Sequence, residues 1–459
     1  MIRPFAFALL LLLAQGLRES CEDGKSGAFC TLLANFCAER EGFSRFRTKD
    51  CPATCNTCTP SRFTFSEHEL LLGGQRKQCF QPGPRQQPLS SFVHHLNAFA
   101  LNIFGTSGAG RAVNGVLSPA AIASIMAILA EKGEGGRASA YLRRRLFGTQ
   151  SQLSLRAHIA NITRMLQAPR DENAGYALRN ENLLYYDPRK ARLDRDYQSV
   201  LYNCYLARAT AISLHHSRLS EAAAAINSAV KELSRESLRR LVRAEDLEGA
   251  AYVLINTIYF KADWESKFSP HETAPAIFRT DEGKEAVVAL MAQEGEFPFH
   301  HNRQLGFKLL GLHYHGRLST IFFFLPDSAQ SLQRLEKLLS SDARFLHQAL
   351  ANVSEQVVTV MLPKFKVESR LDVLTALEES GVRLPPSMAN LASLQHQAVI
   401  EVDEEGTEAA GAAAAVVAGT SLKASFRATR PFLFALRDNP TGLLLFLGRI
   451  TSPHPLHRL

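Results

Sequence analysis

The most informative part of this chain reads Glu404-Glu-Gly-Thr-Glu-Ala-Ala-Gly-Ala-Ala-Ala-Ala-Val-Val-Ala418. Taken alone, it predicts a helix or a flexible linker, because alanine is the strongest helix former. Its neighbours favour an extended segment instead. A strand predicted over Ala398–Val402 leads into it, and a hairpin predicted from Phe432–Arg437 and Leu443–Leu447 follows it. The alanine-rich segment therefore lies between elements of β-sheet.

Read as a strand, this segment has one face made of small residues. Alternate side chains share a face, and one set is Thr407, Ala409, Gly411, Ala413, Ala415 and Val417. The set has no charge and no bulky side chain until its end, while Glu408 falls on the opposite face. Such a face can slide between two strands of an existing sheet without overpacking or burying a charge. Gly406 provides a hinge with free dihedral angles.

The rest of the chain is typical of a globular protein and offers no catalytic signature. It has 459 residues, of which 46% are hydrophobic and 21% charged. Helix-like periodicity, as in Phe92–Phe104, alternates with apolar runs such as Tyr252–Phe260, which predicts an α+β fold. We find no G-x-S-x-G, H-E-x-x-H, P-loop or G-x-G-x-x-G motif, so nothing nominates an enzyme, a cofactor or a metal site.

Residues Glu404–Ala410 resemble the proximal hinge of the serpin reactive loop, and other motifs of that family occur in the same order. They are Val116-Leu-Ser-Pro119, Asn256–Trp264, Phe324–Asp327, Leu362–Phe365, Gln397–Asp403 and Arg430–Ile450. The likeness spans about Pro88–Pro453. It implies the serpin fold over residues 90–459, with three β-sheets, about nine helices and an exposed reactive loop.

The resemblance implies a mechanism in which the protein is a single-turnover trap for a serine protease and not an enzyme. The protease attacks the loop and forms an acyl-enzyme, and the cut loop then enters the main sheet as a new strand. The hinge consists of Glu404, Gly406, Thr407, Glu408, Ala409, Ala410, Gly411 and Ala412. The alternative is a non-inhibitory serpin, a carrier or chaperone, but such members commonly lose the small-residue hinge that is present here.

Family spacing places the scissile bond between Thr420 and Ser421, within a reactive loop of about Glu404–Leu422. The small side chains before this bond suit elastase-like or subtilisin-like proteases. Two shifted registers stay open: Leu422 would suit a chymotrypsin-like pocket and Lys423 a trypsin-like one.

Three residues match the polar cluster that serpins hold beneath the opening sheet: Ser118, Asn256 and His396, here called the shutter cluster. A second serine usual in that cluster is Ala121 here, which predicts a thinner cluster. The only tryptophan, Trp264, is expected at the top of the sheet near Glu404. Lys364 is the candidate partner of the Glu404 carboxylate.

The N-terminal part predicts export and a second module. Residues 1–20 have the pattern of a signal peptide, so we expect a secreted, extracellular protein. Residues 21–58 contain six cysteines and resemble the ShK-toxin-like domain, which implies the pairs Cys21–Cys58, Cys30–Cys51 and Cys37–Cys55. Zinc binding by the last three cysteines is the less favoured alternative, because the module lacks histidine.

The role of the small module stays open. Arg45 and Phe46 stand where channel-blocking toxins have a lysine and an aromatic residue. Because arginine is a poorer pore plug than lysine, docking to a surface is favoured over channel block. Residues 59–89 are linker-like.

Further features concern modification and partners. Asn161 and Asn352 lie in glycosylation sequons, and Cys79 and Cys204 could pair or stay free. The net charge of +8 and the basic clusters Arg143–Arg145 and Arg235–Arg243 allow a site for sulfated glycans, although solvated helix faces are the simpler interpretation. We expect a monomer with no nucleic-acid partner and no membrane span.

Overall fold

The structure is a computed structural model that describes residue 79 and residues 89–107, 114–132, 136–149, 151–167, 176–233, 241–382, 391–405 and 423–453. Nine α-helices lie in these residues: α1 Leu89–Thr106, α2 Pro119–Lys132, α3 Arg137–Phe147, α4 Gln152–Gln167, α5 Arg195–Cys204, α6 Leu219–Leu233, α7 Ala329–Ser341, α8 Ala343–Ala351 and α9 Val373–Glu379. Their number agrees with the prediction of about nine.

Fourteen strands lie in the same residues. They are β1 Asn114–Leu117, β2 Tyr176–Tyr186, β3 Ala207–Ala211, β4 Tyr252–Ala262, β5 Ala274–Arg279, β6 Glu285–Asn302, β7 Phe307–His313, β8 Ser319–Pro326, β9 Ser354–Pro363, β10 Phe365–Asp372, β11 Leu391–Val402, β12 Ala424–Arg427, β13 Phe432–Asp438 and β14 Leu444–Ile450. The mixture of helices and strands confirms the α+β class.

A five-stranded sheet has the order β10-β11-β4-β2-β3. Strands β11 and β4 run parallel to each other. On one side β10 pairs antiparallel with β11, and on the other side β2 pairs antiparallel with β4. We call the line where β4 and β11 meet the seam. Because β11 ends at Val402, the chain leaves this sheet at the seam immediately before the alanine-rich segment.

The remaining strands form one nine-stranded sheet, which corrects the prediction of three sheets. The strands follow the order β1-β14-β13-β8-β7-β6-β9-β12, and β5 pairs with β6. The physical reason is the length of β6, whose 18 residues pair with β5 over 285–290, with β9 over 290–299 and with β7 over 299–302. One continuous strand thus joins what would otherwise be two sheets, so the described strands form two hydrogen-bonded sheets.

The five-stranded sheet is covered on both faces. Leu254, Ile258 and Phe260 of β4 belong to the main hydrophobic core, while Val253 and Ile255 belong to a second cluster that includes residues of α6. Burial on both faces explains why β4 reads as a nearly continuous apolar run. It also means that the side chains in the middle of the seam lie in a dry environment.

A disulfide joins Cys79 to Cys204, with both cysteines buried, so the pairing that the sequence left open is present. The predicted signal peptide, the predicted ShK-like module with its three expected disulfides, and the predicted linker except for residues 79 and 89 lie outside the described residues. Within the described part of the chain, no helix is long and apolar enough to cross a membrane.

Candidate functional site

The seam brings the shutter cluster together at its middle. His396 of β11 stands opposite Asn256 of β4 in the strand register, and both side chains are buried. The His396 Nδ1 atom lies 2.9 Å from the Asn256 Oδ1 atom. This side-chain contact crosses the seam, so it must be broken or rearranged if the two strands separate.

The hydrogen bonds of His396 define its protonation state. Its Nε2 atom accepts a hydrogen bond from the backbone N–H of Ser118, 3.0 Å away, so this nitrogen carries no proton. The Nδ1 atom must therefore donate to the Asn256 carbonyl. Burial lowers the pKa of His396 to about 3, because the charged imidazolium would lose its hydration. His396 is thus neutral at physiological pH.

Asn256 is oriented by two asparagines on β2 that sequence reasoning missed. The Asn256 Nδ2 atom donates to the Asn180 Oδ1 atom at 2.7 Å and to the Asn182 Oδ1 atom at 2.9 Å. Both asparagines are buried. Only the register between β2 and β4 brings them beside Asn256, and an Asn-x-Asn pair inside a strand is the one signal that the sequence offered.

Ser118 takes part through its backbone and through its side chain. Its N–H reaches His396, while its Oγ atom accepts from the Ala121 N–H at 3.3 Å, in the first turn of α2. Ala121 is buried in this helix. The missing serine is offset by Asn180 and Asn182, so the polar cluster is larger than the sequence indicated.

The top of the seam is held by the residues that lead into the predicted loop. The Trp264 Nε1–H group donates to the Asp403 carbonyl oxygen at 2.8 Å, and the Phe268 N–H group donates to the Glu404 carbonyl oxygen at 3.0 Å. Lys261 lies 3.3 Å from the Asp403 carboxylate. These bonds tie the end of β11 to the chain just after β4, as expected for Trp264.

The predicted partner of Glu404 is confirmed. The Lys364 Nζ atom lies 2.5 Å from one carboxylate oxygen of Glu404, and the Thr273 hydroxyl donates to the other at 2.8 Å. Burial alone would raise the pKa of Glu404, but the hydrogen bonds from Lys364 and Thr273 outweigh it and the pKa lies below its ordinary value. The carboxylate is therefore buried, ionised and satisfied.

We predict that Lys364→Ala destabilises the native protein by about 1–2 kcal/mol, because it leaves the buried Glu404 carboxylate without its cationic partner. The figure is below that for a fully buried pair because Lys364 is 41% exposed. Urea unfolding at neutral pH measures the change. Lys366→Ala is the matched control, since the pair of Lys366 on β10 with Glu401 on β11 is more exposed. An equal effect of both variants would contradict a special role for Glu404.

The predicted reactive site lies almost entirely outside the described part of the chain. Gly406 through Leu422, with Thr420 and Ser421, lie outside the described residues. Lys423 is described: its Nζ atom lies 2.7 Å from the Glu294 carboxylate, and β12 begins at the next residue. The side chain of Lys423 is therefore engaged by the nine-stranded sheet.

The two sequons differ in their surroundings. Asn161 lies inside α4, with its Nδ2 atom buried, and Thr163 of the same sequon is fully buried. Asn352 is exposed at the C-terminal end of α8. The folded structure therefore leaves room for a glycan at Asn352 and little at Asn161.

The other candidate features are dispersed. Arg144 and Arg145 are exposed in the last turn of α3, whereas Arg143 is buried. Arg243 is exposed, and the rest of the second basic cluster lies outside the described residues. No group of three or more His, Cys, Asp or Glu side chains in the described part of the chain is arranged to hold a metal ion.

Comparison with known proteins assigns the class. A family model described as "Serpin (serine protease inhibitor)" matches residues 94–453. The chain is 30% identical to pig (Sus scrofa) leukocyte elastase inhibitor over 77% of this chain and 97% of that protein. It is 30% identical to human antithrombin-III over 62% of this chain and 64% of that protein. It thus spans slightly less than two thirds of the antithrombin.

Solved structures share the same fold. Uncleaved ovalbumin matches with a TM-score of 0.71 at 23% identity, covering 79% of this chain and all of that chain. Serpin48 of the insect Tenebrio molitor matches with a TM-score of 0.67 at 24% identity, covering 79% and 98%. The chain belongs to the serpin family. The family is described by inhibition of serine proteases and the pig relative by inhibition of an elastase, and neither description is that of an enzyme.

Proposed function

We propose that this protein inhibits serine proteases by covalent trapping, with insertion of its cleaved loop at the seam. The observation that carries the proposal is the parallel pairing of β4 with β11 at the point where the chain leaves β11. A segment that turns back after Val402 would run antiparallel to both strands. Insertion would replace one parallel ladder by two antiparallel ladders, and antiparallel pairing is slightly more stable per residue.

The small-residue face of the hinge supports the same proposal. The side chains next to the seam are already close-packed, including Leu394 and Ala398 of β11 and Ile258 of β4. A strand with alanine and glycine on its inner face can enter such a core with little overpacking. The Thr407 to Val417 face meets this requirement.

We propose Thr420–Ser421 as the scissile bond and an elastase-like or subtilisin-like protease as the target. The name of the pig relative, an inhibitor of leukocyte elastase, supports this class. Lys423 is a poorer candidate because its side chain is paired with Glu294 immediately before β12. Leu422 remains the competing register.

The test is incubation with elastase, subtilisin, chymotrypsin and trypsin, followed by denaturing electrophoresis and sequencing of the released C-terminal peptide. We expect an SDS-resistant adduct with one of the first two proteases and a released peptide that begins at Ser421. The same protease with its active-site serine blocked is the control and should give no adduct. Cleavage without an adduct for every protease would support a non-inhibitory serpin instead.

We further propose that the protein is exported and carries a glycan at Asn352. The Cys79–Cys204 disulfide supports an oxidising compartment, and the exposure of Asn352 supports the modification. The roles proposed for the N-terminal module, for sulfated glycans as partners and for a monomeric state rest on the sequence alone.

A further inference from the structure

A continuous chain of hydrogen bonds joins the seam to the disulfide. Asn256 donates to the Asn182 Oδ1 atom at 2.9 Å, and the Asn182 Nδ2 atom donates to the Tyr205 carbonyl oxygen at 3.1 Å. Tyr205 directly follows Cys204, which is bonded to Cys79. Each of these residues is buried. The shutter cluster is therefore two hydrogen bonds away from the residue beside a covalent cross-link.

Tyr205 is anchored on its other side by α2. Its hydroxyl donates to the Glu131 Oε2 atom at 2.6 Å. The other Glu131 oxygen accepts from Gln152 and Arg156 of α4. The next residue, Leu206, has a φ of 47°, a left-handed conformation that a branched side chain adopts only where its surroundings fix the backbone. The position of the Tyr205 carbonyl is thus set by several contacts at once.

These anchors act on the strand that must move. When the seam opens, β4 separates from β11, and the Asn256–His396 contact across it is lost. His396 is held to the start of α2 through Ser118. Asn256 is held, through Asn182 and Tyr205, to Glu131 near the end of the same helix and to the disulfide. Both strands of the seam are therefore linked by hydrogen bonds to α2, and β4 is also linked to the disulfide.

We propose that the Cys79–Cys204 disulfide is a brace on the seam. It fixes Tyr205, and through Asn182 it holds Asn256 in the position that closes β4 against β11. Removal of the disulfide makes the position of Tyr205 less fixed, so β4 separates from β11 faster. This inference rests on the proposed function, because opening of the seam is the step by which that function traps a protease. In these terms Tyr205 and Asn182 are positioning residues for loop insertion.

The test uses the full chain and a fluorescent synthetic peptide with the sequence of residues 406–418, which should insert at the seam in place of the loop. We expect the double variant Cys79→Ala, Cys204→Ala to take up the peptide about fivefold faster than the parent protein. Asn182→Ala should give a similar acceleration. In the triple variant, which combines Asn182→Ala with both cysteine substitutions, the cysteine substitutions should add no further acceleration. The reason is that the hydrogen bonds linking the disulfide to Asn256 pass through Asn182, which is already replaced.

Two features separate a brace from general stabilisation. A disulfide also stabilises by restricting the unfolded chain, but that effect does not change the rate of peptide uptake by the native protein. Arg279→Gln is the control variant: it removes an exposed ion pair with Glu285 between β5 and β6 of the other sheet, and uptake should stay unchanged. If the double variant does not fold, Tyr205→Phe removes the Glu131 anchor and should also accelerate uptake.

The experiment can contradict the brace without contradicting the proposed function. Uptake at the parent rate in the cysteine variant, or fully additive effects in the triple variant, would overturn the brace. Both results can occur while the parent protein still forms protease adducts, in which case the proposed function stands. Absence of adducts with every protease would instead remove the proposed function.

Discussion

Thr407→Arg is expected to convert the protein from an inhibitor into a substrate of its target protease. The side chain at position 407 would face the core after insertion, so the variant would bury an unpaired guanidinium. Such a charge costs about 3–5 kcal/mol, and each ~1.4 kcal/mol added to a barrier slows a step tenfold. Deacylation would then be faster than loop insertion, so the yield of SDS-resistant adduct should fall about a hundredfold.

Glu408→Arg is the matched control for this prediction. It introduces the same side chain at the next position, on the face that would point away from the core. Adduct yield should stay within about twofold of the parent protein, because exposed charges contribute little. Equal losses in the two variants would contradict the assignment of the inserting face. No loss in either would contradict insertion itself.

Acid is expected to weaken the native state through His396. The unfolded chain protonates this residue below its ordinary pKa of 6.5, whereas the folded chain resists protonation down to about 3. Between these values the unfolded state binds more protons, so stability falls as the pH falls. At pH 5 the loss from His396 alone should be about 2 kcal/mol, and at neutral pH it is absent.

Urea unfolding at pH 7 and pH 5 measures this loss, with His396→Gln as the variant that cannot titrate. We expect the variant to be less stable at pH 7, because it disturbs the Ser118 and Asn256 bonds, but to lose about 2 kcal/mol less on acidification. His347→Gln, at an exposed position on α8, is the control for replacing a histidine by glutamine outside the shutter cluster. An equal loss of stability on acidification in His396→Gln and in the parent protein would contradict the neutral, buried state of His396.

Sequence reasoning located the contacts that are local or that follow a motif. Strand β11 and its entry into the loop follow from a short apolar run, and the Lys364–Glu404 pair follows from two motifs with known neighbours. Asn180 and Asn182 could not be found in this way, because their role depends on the register between β2 and β4. The Tyr205 link depends on tertiary contacts with α2 that no local pattern encodes.

The number of sheets and the disulfide pairing likewise could not be predicted from local sequence patterns. Strand β6 has an ordinary strand composition, and nothing in it signals that it continues from one group of strands into another. The pairing of Cys79 with Cys204 joins residues 125 positions apart, so only the folded geometry brings them together.

The central claim is that a severed loop enters the seam and that the native state, with the seam closed and the loop outside it, persists only for kinetic reasons. The most direct measurement is the thermal midpoint of the protein before and after a single cut between residues 406 and 422, with the cut confirmed by mass spectrometry. We predict a rise on the order of tens of degrees, since the inserted strand replaces one parallel ladder by two antiparallel ladders and adds a packed face. An unchanged midpoint in the cut protein would contradict the account.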